Sequence, residues 1–96
     1  MSKLSARDFK NFTEMVAWQE IVATVKERLN MIRNDLELGY EDVPTKDGTD
    51  RRKLSLEDIK FMQGEASSLR YVISLPEVLM ELAKEDELKE EKNARS

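Results

Sequence analysis

The sequence predicts an all-α fold: an antiparallel helical hairpin and a proline-started third helix, with burial completed by oligomer formation or a partner protein. Three observations carry this. Two segments place apolar residues alternately three and four positions apart, the period of one helix packed lengthwise on another, as in a coiled coil. The 96 residues are 38% charged and 40% hydrophobic with only three Gly and two Pro, a mixture whose Leu, Glu, Lys, Ala and Met lose little rotamer freedom in a helix. Aromatic residues are only 6%, too few, with too few turn residues, for a sandwich or barrel.

The expected organisation is a single helical domain over residues 1–96. The first helix runs over residues 5–38, from an N-cap at Ser5, with Asp8 placed to answer the exposed amides, to Gly39 at the left-handed position that ends helices. Its seam is Met15, Trp18, Val22, Val25, Leu29, Ile32 and Leu36. Residues 39–54 read as a loop, since Pro44 and the Asp47-Gly48 turn signal interrupt a stretch with no apolar period. A calcium loop is excluded there: with Asp47 and Gly48 at positions five and six, positions one and twelve would be Val43 and Leu54, which cannot ligate calcium.

The second helix, residues 55–74, has a capping-box start in Ser55-Leu56-Glu57-Asp58, with Leu54 and Ile59 spaced as a hydrophobic staple. Its seam is Ile59, Met62, Ala66, Leu69 and Ile73. Gly64, Ala66, Ser67 and Ser68 make its middle slim, so that Gly64→Leu is expected to overpack the hairpin. Pro76 removes an amide donor and crowds the preceding turn, and Ser74-Leu75-Pro76-Glu77 has a cap pattern. A third helix is therefore expected over residues 75–90, with Leu75, Val78, Leu79 and Leu82 as its apolar set and a charged tail at 91–96. Antiparallel pairing sets Leu36 near Leu56, Leu29 near Gly64, Val22 near Val72 and Trp18 near Leu75-Pro76.

The seams do not use all the apolar residues. Phe9, Phe12 and Val16 lie on another side of the first helix, and Phe61, Tyr71 and Val72 lie off the second seam. These six are the candidate partner contacts, because large exposed apolar patches mark interaction sites. The third helix folding over Phe9, Phe12 and Val16 is the alternative for that stripe.

Composition narrows the chemistry. There is no Cys and no His, which removes thiolate nucleophiles, imidazole bases and the usual zinc ligands. The carboxylates fall on polar faces, in the loop or in the tail, with Lys or Arg close by, so no catalytic, cofactor or metal site is expected. The net charge is −4 and evenly spread, with Arg51-Arg52-Lys53 the only dense basic run, which disfavours nucleic-acid binding. No stretch approaches the length of a membrane span and no signal sequence is visible, so the expected location is intracellular or within a virus particle.

The pattern Trp18…Leu29…Leu36, then Gln63-Gly64, Ala66, Leu69-Arg70 and Leu75-Pro76-Glu77, resembles small helical-hairpin proteins encoded by tailed bacteriophages. It covers roughly residues 18–77. The resemblance implies a virion structural or assembly accessory protein, acting as a helical adaptor that contacts itself or a larger structural protein. The competing expectation is a small inhibitor of a host defence enzyme, acting by surface binding or acidic mimicry. That reading asks for acids on one continuous face, whereas Lys and Arg interleave with them here.

Overall fold

The structure, a computed structural model, describes residues 4–95. Of the described residues 78% are helical, and they form three helices and one two-stranded sheet in the order α1 (Ala6–Glu14), α2 (Val16–Leu38), β1 (Tyr40–Thr45), β2 (Gly48–Lys53) and α3 (Leu56–Arg95). It is mostly helical and not all-α. It packs as two compact units. Unit 1 is Met1–Ala23 with Tyr71–Ser96, and unit 2 is Thr24–Arg70.

Unit 2 forms around an apolar cluster of Ile32, Leu54, Met62 and Ala66, against which Leu29, Leu36, Ile59 and Leu69 pack. Ile32 is its centre, at 1% exposure. The 3–4 spacing aims these side chains along one face of each helix, and the two faces meet. Gly39 ends α2 at φ 78°, its amide donating to the Asp35 carbonyl at 2.8 Å and its own carbonyl accepting from Leu54 at 3.0 Å. One residue thus stops the helix and closes the base of the next element.

That element corrects the expected loop. Residues 40–53 form an antiparallel hairpin whose register pairs Glu41 with Arg52, Asp42 with Arg51, and Thr45 with Gly48. Lys46 and Asp47 make the turn, and Gly48 takes the positive φ of 134° that other residues rarely adopt. Opposite charges face each other across the strands, which favours the pairing. Pro44 is tolerated because each strand of a two-stranded sheet has an open edge. Apolar alternation is missing because almost nothing here is buried: both strands are exposed except for half-buried Glu41 and Val43.

α3 then starts on a reciprocal capping box. The Ser55 amide donates to Asp58 Oδ2 at 2.8 Å, and the Asp58 amide donates to Ser55 Oγ at 3.1 Å. Leu54 and Ile59 join the same apolar cluster, as a staple requires. The expected close approach at Gly64 is absent: a Cβ built there meets nothing within 4 Å, so Gly64 faces open space and the slimness belongs to Ala66 alone.

Two helix boundaries also differ from expectation. The first helix is broken at Met15 (φ −68°, ψ 136°). On one unbroken helix Phe12 and Trp18 would lie about 120° apart; with the break their ring centroids are 5.1 Å apart. Ring packing overrides local helix propensity here. At the other boundary, α3 passes through Pro76 without ending. Ser74 is not a cap: its hydroxyl donates to the Tyr71 carbonyl at 2.7 Å, within the turn that the proline disrupts. Pro76 is buried.

Unit 1 has a smaller core, Ala6, Phe9 and Ala83 with Met80 against it. α1 opens on its own capping box, Ser5 with Asp8, whose hydrogen bonds from the Ser5 amide and hydroxyl hold the Asp8 carboxyl below its ordinary range. The Ala6 amide donates to Glu87 Oε1 at 3.0 Å, tying the first turn of α1 to α3.

Candidate functional site

Each unit carries one cavity of chemical interest. In unit 2, Arg28, Met31, Asp35, Glu41, Asp42, Arg52, Asp58, Phe61, Met62 and Glu65 enclose about 380 Å³. Its charges are largely spent on each other. Arg28 donates to both Glu65 oxygens, at 2.7 and 2.9 Å, and that hydrogen-bonding holds the Glu65 carboxyl below its usual range. Arg52 donates to Glu41 through Nε at 2.8 Å and through its terminal nitrogen, and it also reaches Asp58 at 3.5 Å. The Asp58 carboxyl is lowered first by its hydrogen bonds from Ser55 and further by Arg52. Arg52 therefore links β1 to the first turn of α3. The cluster fixes the hairpin; among the described residues no group of His, Cys, Asp or Glu could hold a metal ion.

In unit 1, Leu4, Asp8, Phe9, Phe12, Trp18, Val72, Leu75, Pro76 and Leu79 line a cleft of about 360 Å³ whose exposed wall is wholly apolar. Trp18 indeed lies by Leu75 and Pro76. The Met15 break sets Phe12 against Trp18 on one side, and α3 supplies Val72, Leu75 and Leu79 on the other. Apart from Asp8, whose carboxyl accepts from the Ser5 amide and hydroxyl, the lining side chains are hydrophobic, and such a wall rewards burial of another apolar surface.

The candidate contacts divide. Phe9 is corrected: at 8% exposure it is core, covered by Ala83 and Met80 of α3, so the third-helix alternative holds for that residue. Phe12 is exposed at the cleft, and Val72 is exposed on its α3 side. Tyr71 is exposed beside Val72 on α3. Val16, at 71% exposure, and Phe61, at 72%, are open but lie off the cleft; Phe61 borders the charged cavity instead. The seam residues Trp18, Val22, Val25, Leu29, Ile32, Leu36, Ile59, Met62, Ala66, Leu69 and Ile73 are all buried or half-buried, whereas Met15, at the break, and Leu56 are exposed.

Leu4 and Leu79 are cleft residues that sequence reasoning did not assign as contacts. The signal for Leu79 was its place in the apolar set Leu75, Val78, Leu79 and Leu82. No helix among the described residues is long and apolar enough to cross a membrane. No family model, curated protein or solved structure matches the chain.

Proposed function

We propose that this chain is a non-enzymatic protein-interaction module that docks another protein surface at the apolar cleft of unit 1. The observation that carries the reading is the cleft itself: Phe12, Trp18, Val72, Leu75 and Leu79 around about 360 Å³ of solvent-open space. A soluble chain gains by covering such a surface. The absence of His and Cys from the sequence and the mutual pairing of the unit 2 charges support a binding role over a catalytic one. The narrower reading, an assembly or structural accessory of a tailed-phage particle, is supported by the Trp18-to-Glu77 pattern. Acidic mimicry has less support, because Glu41, Asp58 and Glu65 are held by arginines and so do not present a free phosphate-like array.

The test is site-specific photo-crosslinking in the expressing cell. Photoreactive side chains at Phe12 and Leu79 are expected to yield protein adducts, to itself or to another chain, and one at exposed Lys26 is expected to yield none. Equal yields from all three positions, or none from the first two, would remove the cleft as a docking site.

A further inference from the structure

We infer that the open edge of β2 is a second docking site, which takes an extended acidic segment of another protein as a third, antiparallel strand. The apolar core of unit 2 is closed, but its β-hairpin leaves backbone groups unpaired. In an antiparallel pair, residues that bond their partner alternate with residues whose amide and carbonyl turn away from it. The Leu54 amide donates to the Gly39 carbonyl at 3.0 Å. With that bond and the register of the strands, the bonded pairs are Glu41 with Arg52, Val43 with Asp50 and Thr45 with Gly48. The outward groups are then those of Tyr40, Asp42 and Pro44 on β1 and those of Thr49, Arg51 and Lys53 on β2. The Arg51 amide agrees with this parity, since it donates to Asp50 Oδ1 at 2.9 Å and not to β1.

The two edges are unequal. Pro44 holds an outward position and has no amide hydrogen, so β1 offers two donors. β2 offers three, and all six of its residues are exposed. Such a row of donors and acceptors is what an added strand pairs with. Charge names the guest. Cross-strand partners share a face, so Arg52 points with Glu41 to one side of the sheet, and Arg51 and Lys53 point to the other. Arg52 is engaged by Glu41 and Asp58. Arg51 has Asp42 no closer than 3.8 Å, with 76% of its side chain exposed, and Lys53 has no ion-pair partner among the described residues. A strand laid antiparallel on β2 meets these two cations with residues two positions apart. Acids at those alternate positions stand directly opposite them, an arrangement that favours pairing. A second copy of this chain fits less well. Its β2, paired along the full length, sets Arg51 against its own copy; its β1 puts Asp42 opposite Arg51 but Tyr40 opposite Lys53, and Pro44 opposite Thr49 has no amide to donate.

The test uses the full isotope-labelled chain and the end-blocked peptide Ser-Glu-Val-Glu-Val-Thr-Ser. Its glutamates oppose Lys53 and Arg51, and its threonine opposes Thr49. By NMR, the amides of Thr49, Arg51 and Lys53 are expected to shift and to gain protection from hydrogen exchange, while Tyr40 and Asp42 gain none. N-methylation of both glutamates, whose amides face β2, should weaken binding about tenfold or more through two lost hydrogen bonds. N-methylation of both valines, whose amides face away, should leave it unchanged. Arg51→Glu with Lys53→Glu should weaken binding roughly tenfold and gain binding of the peptide with lysines in place of glutamates. Asp50→Ala, which frees the Arg51 amide, should tighten it. The methylated peptides use the wild-type chain, so they decide the matter even where a variant disturbs the β-hairpin. No binding, protection on the β1 edge instead, equal weakening by both methylated peptides, or equal binding of a scrambled peptide of the same charge each overturns the proposal. The last two outcomes mean plain ionic attraction to Arg51-Arg52-Lys53. Protection of the β2 edge that grows with protein concentration in the absence of peptide makes a second copy the occupant and overturns it as well. Crosslinking at Phe12 and Leu79 is independent of all these outcomes, so the docking reading of unit 1 stands or falls separately.

Discussion

Unit 2 closes on itself and unit 1 does not. In unit 2, cluster residues from both long helices and from Leu54 surround Ile32, and the charged side chains nearby are joined as Arg28–Glu65 and Glu41–Arg52–Asp58. In unit 1, three buried residues form the core, and Phe12, Val72 and Leu79 stay open around a cleft. Both regions draw on the same kinds of residue at the same helical period. The difference lies in what the second face of α3 meets, so apolar content alone does not reveal which part of a small helical protein is scaffold and which is contact surface.

The comparison can be broken most forcefully at Ile32. Ile32→Ala removes the only fully buried side chain of unit 2 and is expected to cost about 3 kcal/mol, read as a lowered midpoint in urea. Phe12→Asp, on the cleft wall, loses the ring pair with Trp18 and is expected to cost about 1 kcal/mol while abolishing association; a loss as large as that of Ile32→Ala would show that the wall is core after all. Ser55→Ala deletes half of the cap on α3 and should cost about 1 kcal/mol in the same titration. The smallest effect, and opposite in sign, is expected at Gly64. With open space around its missing Cβ, Gly64→Ala should stabilise by about 0.5–1 kcal/mol, and Gly64→Leu should not overpack.

Acid sharpens the same contrast. The Asp8, Asp58 and Glu65 carboxyls are all held below their ordinary values by hydrogen bonds that the unfolded chain lacks. Their contribution is complete above the unfolded carboxylate range and is lost as pH falls through the lowered folded values. Helix content should therefore hold down to about pH 4 and decline below it. Ser55→Ala should weaken that dependence, because Asp58 then loses the hydroxyl's share of its hydrogen bonds.

What the sequence made legible follows the physics of each element. The 3–4 seams from Trp18 to Leu36 and from Ile59 to Ile73 were readable because burial on one helix face leaves a period. The caps at Ser5 and Ser55 and the stop at Gly39 were readable because each needs a specific residue type. The 40–53 hairpin was not, since its cohesion is cross-strand charge around Asp47-Gly48, and that produces no apolar alternation. Nor was the break at Met15, which no Gly or Pro announces and which ring packing between Phe12 and Trp18 accounts for. Pro76 misled in the other direction, its cap-like neighbours favouring a new helix where α3 continues. In the cleft, Phe12 and Val72 were legible as surplus apolar residues. Phe9 could not be told from them until Ala83, 74 positions further on, covered it.

That separation has a consequence for how the chain folds. Unit 2 is continuous in sequence, and its turn, hairpin and neighbouring helix segments can form from nearby residues, whereas unit 1 is assembled from two pieces divided by the whole of unit 2. The bond from Ala6 to Glu87 spans 81 positions, a closure whose entropic cost falls once the intervening segment is ordered. Unit 2 is thus the natural nucleus, and unit 1 completes itself late. During synthesis Phe9 and Trp18 emerge from the ribosome well before the stretch from Val72 to Ala83 that shelters them, so the nascent chain passes through an interval in which its adhesive end has no cover of its own.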